Sequence, residues 1–88
     1  LLLLECVPSR VAESIVSGLQ IPVIGIGAGG ACDGQVLVLY DILGLTPGKR
    51  PRFARDFLSA SPGIEAAVGA YVRAVKDKTF PGPEHTFE

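Results

Sequence analysis

The chain has 88 residues, 48% of them hydrophobic and 19% charged, with eight basic and nine acidic side chains and a formal charge of −1. That length allows one small domain, and the scattered, balanced charge excludes an electrostatic footprint for nucleic acid or an anionic membrane. Cys6, Cys32 and a single histidine are too few and too widely spaced for a zinc site.

With nothing secretory in the sequence, the thiols read as reduced and the compartment as cytoplasmic. No apolar stretch approaches the roughly 18 residues that cross a bilayer, and Leu1–Leu4 is too short for a signal-peptide core. So little charge on so small a domain has two readings: a compact domain with a rich core, or apolar surface meant for burial by something outside the chain. The absence of methionine and the abrupt apolar opening at Leu1 read as a sequence cut from a longer one.

In chain order, Leu1–Leu4 is an apolar run without alternation, as in strands covered on both faces. Glu5-Cys6-Val7-Pro8 ends it, and Pro8 with Ser9 signals a helix carrying Val11, Ile15, Val16 and Leu19 on one stripe. Gly18 suits its terminus. Ile21–Ile26 predicts a second buried strand, with Pro22 at its entry where no ladder donor is lost. After the glycine-rich loop Gly27–Gly34, Val36–Tyr40 predicts a third strand of the same kind, with Asp41 just past its end.

Residues 44–50 form a polar loop, and Lys49, Arg50, Arg52 and Arg55 read as the solvated start of a helix opened by Pro51 and carrying Phe53, Phe57 and Leu58. A last helix over Ile64–Asp77 presents Ile64, Val68, Tyr71, Val72 and Val75, and the tail Thr79–Glu88 adheres as an extension. The order β-α-β-loop-β-α-α with short connections argues for parallel strands in an α/β architecture. Three strands cannot close a barrel. A (β/α)8 barrel takes roughly 250 residues, so residues 1–88 are expected to be a single partial domain, about a third of one.

Gly25-Ile26-Gly27-Ala28-Gly29-Gly30 satisfies the G-x-G-x-x-G pattern. That motif holds a pyrophosphate only where a helix begins at the loop, and here a strand follows too soon for one. The glycines read instead as letting the backbone pass close to a ligand or to neighbouring strands at the barrel mouth.

Glu5 is the acid of interest. It directly follows the leucine run, at the strand end where barrel enzymes keep their catalytic groups. A carboxylate beside apolar surface is expected to be partly desolvated and so a competent general base. On spacing alone, a carboxylate merely solvated at a strand end is the stronger reading.

Leu4-Glu5-Cys6-Val7-Pro8, Ile21 to Gly29, Asp33 to Val38, Asp41-Ile42-Leu43-Gly44 and Phe80 to Phe87 together resemble the ketopantoate hydroxymethyltransferase family, in its order and spacing over the whole chain. The resemblance implies the C-terminal portion of a (β/α)8 TIM barrel of the phosphoenolpyruvate/pyruvate superfamily. It implies transfer of a hydroxymethyl group from 5,10-methylenetetrahydrofolate to 3-methyl-2-oxobutanoate, giving 2-dehydropantoate for pantothenate synthesis.

In that family the glutamate matching Glu5 is the proton acceptor. The implied Mg2+ has its ligands on earlier strands, so no metal ligand is assigned in this chain, and the folate-contacting residues stay unassigned. Small-molecule substrates and a homo-oligomer are implied for the complete enzyme, with the 88-residue chain alone inactive. The alternative is a non-catalytic assembly element. Asp33 is expected to cap the turn with Gly34, Asp41 to terminate its strand, and His85 to dock the tail or a subunit contact.

Overall fold

The computed structural model describes all of residues 1–88. Its elements are β1 (Leu2–Glu5), α1 (Ser9–Ser17), β2 (Val23–Ile26), β3 (Gly34–Gln35), α2 (Leu39–Ile42), α3 (Ile64–Lys76) and a 3₁₀ turn (Pro83–His85). The strands form one parallel sheet in the order β1-β2-β3, with Leu2 opposite Val23, Glu5 opposite Ile26 and Gly25 opposite Gln35. The expected three parallel strands with helices are therefore present.

Parallel pairing leaves β1 and β2 only where a crossover can return the chain, and α1 makes that crossover. Its packed stripe is Ala12, Ile15 and Val16, set against Leu4, Val23, Ala28 and Cys32. Val11 and Leu19, expected on that stripe, are exposed. Ala12 is fully buried in this cluster.

A second core gathers Leu37, Ile42, Leu43, Phe57, Ala67 and Phe80, with Tyr71 beside them. The rings of Phe57, Tyr71 and Phe80 meet edge to face, with centroids 5.5–5.9 Å apart, the arrangement that aromatic quadrupoles favour. α3 meets this cluster through Ala67, Ala70, Tyr71, Ala74 and Val75, whereas Ile64 and Val72, expected on its packed face, are exposed.

Two expectations are corrected. Val36–Tyr40 is not a strand: the ladder includes only Gly34–Gln35, and one further bond runs from Val36 N–H to the Gly25 carbonyl. β2 ends at Ile26, and Gly27, with φ +67°, turns the neighbouring backbone away, so residues beyond Val36 have nothing to pair with. Tyr40 and Asp41 consequently lie in α2.

The helix expected after Pro51 is likewise a series of turns. The Asp56 carboxylate accepts from the N–H groups of Leu58 and Ser59, and Phe57 N–H donates to the Ile42 carbonyl rather than to a helical partner. Local capping by aspartate competes with helix formation in this way.

Only 16 of the 88 residues are buried, and twelve large apolar residues are exposed, which decides between the two compositional readings: this chain leaves much of its apolar surface uncovered.

Candidate active site

Alternation along β1 turns Leu2 and Leu4 toward α1 and Leu3 and Glu5 toward the opposite face. The register carries those faces across the sheet. Gly25 looks toward Cys32 on the helix-covered side, where a methyl group would stand 2.8 Å from its sulfur. Glu5, Leu3 and Val36 share the other side and are exposed.

Immediately after Glu5 the chain breaks from the strand. Cys6 N–H donates to the Ile26 carbonyl at 2.9 Å, and Cys6 has φ +53°, a left-handed conformation costing about 1–2 kcal/mol outside glycine. The strained turn leaves Glu5 as the last side chain of the strand on the open face. The expectation of a partly desolvated carboxylate is corrected: Glu5 is exposed and makes no side-chain hydrogen bond or ion pair, because no element of this chain covers that face.

The glycine-rich loop lies at the same end of the sheet as Glu5. It leads into β3, not into a helix. The space over it is filled by protein: methyl groups at Gly27 would stand 3.0 Å from Phe53 and 3.2 Å from Phe87, and at Gly29 2.8 Å from Ser9. The tail therefore lies across this loop. Phe87 contributes its carbonyl to the Ser9 N–H at 2.9 Å, satisfying one of the orphan donors at the start of α1. Arg52 stands 5.9 Å from the centre of the Phe87 ring.

His85 is part of that tail. Its Nδ1 accepts from the Gly82 N–H at 3.1 Å, and its ring lies 4.9 Å from that of Phe80. Burial pulls the imidazole pKa below the ordinary histidine value, more strongly than neighbouring Glu84, 3.6 Å away and largely exposed, raises it. An accepting Nδ1 means a neutral ring, so His85–Glu84 is not an ion pair at neutral pH. Within this chain His85 therefore contacts Gly82 and Phe80.

Asp33 differs from its expected turn-capping role. Its Oδ2 accepts from Val23 N–H at 2.8 Å and its own N–H donates to the Val23 carbonyl, tying the loop to the start of β2 at the end of the sheet away from Glu5. Asp41 terminates no strand. It is buried in α2, and its Oδ1 accepts from the Thr46 hydroxyl. Of the two thiols, Cys6 is exposed; Cys32 is buried, and desolvation, helped by Asp33, pushes its pKa up, which disfavours the reactive thiolate.

No group of three or more His, Cys, Asp or Glu side chains is placed to hold a metal ion, and no helix is long and apolar enough to cross a membrane. Sequence reasoning missed two assemblies. One is the clasp of Phe87 and Ser9 over the glycine loop; the other joins Asp41 to Thr46 and Arg50 around a small cavity. Neither has a motif, since each depends on a turn that only the tertiary fold defines.

Residues 1–83 match the family described as ketopantoate hydroxymethyltransferase. Proteins named 3-methyl-2-oxobutanoate hydroxymethyltransferase from Burkholderia multivorans and Paraburkholderia phymatum are each 63% identical to this chain over 87 residues. The alignments cover 99% of this chain and 32% of each relative, so the chain spans about a third of the length of the curated relatives it matches. With the Glu-Cys-Val-Pro turn, the glycine loop and the Pro-Gly-Pro-Glu-His tail all inside those alignments, the chain belongs to the ketopantoate hydroxymethyltransferase family.

Proposed function

We propose that the complete protein containing this chain is a (β/α)8-barrel 3-methyl-2-oxobutanoate hydroxymethyltransferase, with Glu5 as its general base. The observation carrying this reading is the position of Glu5: last residue of a parallel strand, on the face opposite α1, directly before a strained turn. In a (β/α)8 barrel the face away from the helices is the interior, and the carboxyl ends of the strands carry the active site. The uncovered Leu1, Leu3, Val36 and Val38 fit the same placement.

In the proposed reaction the Glu5 carboxylate removes a proton from C3 of the ketoacid. The C–H electron pair moves to form the enolate, whose C3 bonds to the one-carbon unit of 5,10-methylenetetrahydrofolate. One water supplies the hydroxyl group, the carbon–nitrogen bonds to that unit break with their electron pairs going to the folate nitrogens, and 2-dehydropantoate and tetrahydrofolate are released. A base within hydrogen-bond reach of its proton contributes typically ~10²–10⁴ in rate. Closure of the rest of the barrel over the open face would supply the desolvation that Glu5 lacks in this chain.

The residues present do not fit the implied Mg2+, since no metal-holding cluster exists here. Its ligands belong to the rest of the complete protein, and no step is derived through it. The 88-residue chain alone is accordingly proposed to be inactive. The homo-oligomeric state and cytoplasmic setting implied by the resemblance belong to the same proposal.

The test is deuterium exchange at C3 of the ketoacid, which isolates proton removal from the folate step. Glu5→Gln in the complete enzyme should abolish it; exchange at the wild-type rate would sink the assignment. The second reading, an assembly element without catalysis, is favoured by the uncovered apolar face and predicts just that unchanged exchange.

A further inference from the structure

A polar cavity of about 150 Å³ lies beside α2, lined by Asp41, Gly44, Thr46, Gly48 and Arg50 with no apolar side chain in its wall. Its walls come from α2 and the loop that follows it, after the third strand in the chain. Gly44 and Gly48, with φ +69° and +77°, turn the loop around it. At Gly44 any side chain would collide with the Asp56 carboxyl group, so that turn is fixed.

Asp41 is only 6% exposed, and a carboxylate so buried normally has its oxygens taken by donors or by a cation. Here Oδ1 accepts from Thr46 Oγ1, while Oδ2 accepts from no group of the chain and is not sealed from solvent. No lysine or arginine lies within ion-pair distance of it. Thr46 Oγ1, with its proton directed at Asp41, has only lone pairs left for a ligand. Arg50 makes no ion pair and is only a donor. The wall thus offers two acceptors and a donor around one small space.

We infer that this cavity binds the edge of a flat heterocycle carrying two adjacent N–H donors beside a carbonyl acceptor. The donors meet Asp41 Oδ2 and Thr46 Oγ1, and the acceptor meets the Arg50 guanidinium. The ketoacid is the wrong chemistry for it, having no N–H and a carboxylate that would face Asp41 like charge to like. The identification of the ligand rests on the proposed function: the 2-amino-4-oxo edge of a tetrahydrofolate pteridine has this pattern, which makes the cavity its pteridine subsite.

The experiment measures equilibrium binding of tetrahydrofolate to the complete enzyme, alongside C3 deuterium exchange. Asp41→Asn replaces one acceptor by a donor at almost constant size. It should weaken tetrahydrofolate binding about 10- to 100-fold, the usual effect of losing a hydrogen bond to a charged group, and leave exchange within about twofold of wild type. Arg50→Gln, at an exposed position, should weaken binding about 3- to 10-fold and decides the matter should the Asp41 variant misfold.

Wild-type affinity in a folded Asp41→Asn enzyme, or in Arg50→Gln, overturns the subsite. Equal loss of binding and exchange in Asp41→Asn overturns it too, because that is a structural role. A wild-type enzyme that exchanges deuterium but does not bind tetrahydrofolate overturns the ligand, whereas absent exchange with Asp41-dependent binding overturns the Glu5 assignment and supports the cavity.

Discussion

Replacing Gly27 by alanine tests whether the glycine loop exists to seat the tail. Two terms add at this position. The backbone has φ +67°, where an alanine costs about 1–2 kcal/mol. The new methyl would also stand 3.0 and 3.2 Å from Phe53 atoms and 3.2 Å from Phe87, well inside the ~3.5–4.0 Å of comfortable carbon contact. Overpacking of this kind costs about 1–3 kcal/mol, so the expected loss is about 2–5 kcal/mol, toward the lower end if Phe87 swings aside. Gly30, three residues on, is the control. Nothing lies within 4 Å of its virtual methyl and its φ is not left-handed, so Gly30→Ala should be neutral or slightly stabilising. Urea unfolding of the complete enzyme at fixed protein concentration reads both as midpoint shifts at constant slope. A Gly27→Ala midpoint equal to wild type, or an equal loss at Gly30, would refute the packing argument and reopen a ligand role for the loop.

Three more outcomes are expected beside the Glu5→Gln result. The Tyr71 hydroxyl is buried without a partner, an arrangement costing about 1–3 kcal/mol, so Tyr71→Phe should raise the melting temperature unless the complete enzyme supplies a partner; a lower temperature identifies one. His85 is held below its ordinary pKa of 6.5, so the folded tail binds fewer protons than the unfolded one. Its stabilising contribution is complete above that value and is lost as pH falls through the folded pKa. Protonation also removes the lone pair that accepts from Gly82. Hydrogen exchange at the Gly82 amide, corrected for its intrinsic pH dependence, should therefore accelerate on acidification in wild type and not in His85→Gln; a flat profile in wild type contradicts the mechanism. Finally, Leu3→Asp should abolish soluble complete enzyme whereas Glu13→Lys on exposed α1 should not, as measured by soluble yield and size-exclusion profile. Equal yields would show that the Leu3 face is not interior.

Much of this fold is legible in the sequence where one residue pattern has one cause. The runs Leu1–Leu4 and Ile21–Ile26 become β1 and β2, and the apolar period after Ile64 becomes α3, because burial at a fixed repeat decides each of them. Val36–Tyr40 has the same apolar character yet forms no strand, since a strand also needs a neighbour to bond and β2 stops at Ile26. Phe53, Phe57 and Leu58 have a helical repeat, but the Asp56 carboxylate claims the amides that would extend a helix. At the site, the strand-end position of Glu5 is readable. Its exposure is not, because the groups that would cover it are not among these residues. Asp41 looks like one more strand-end acid until Thr46 and Arg50 come round the loop beside it.

The bond between Ser9 and Phe87 has a consequence for the order in which this protein is made. Synthesis runs from the N-terminus at about 5–20 residues per second, so β1, α1 and β2 can meet while the chain is still growing. The clasp over the glycine loop cannot close until residue 87 has left the ribosome, so the Glu5 end of the sheet is completed only after α3 has been made. Contacts of such long sequence separation also form late on entropic grounds, because a large loop must be closed before they are gained. A nascent chain stalled between α3 and residue 87 would thus carry its strands and both cores' helices with the surface above Gly27 and Gly29 still open. That open surface lies at the end of the sheet where the chemistry is proposed to occur.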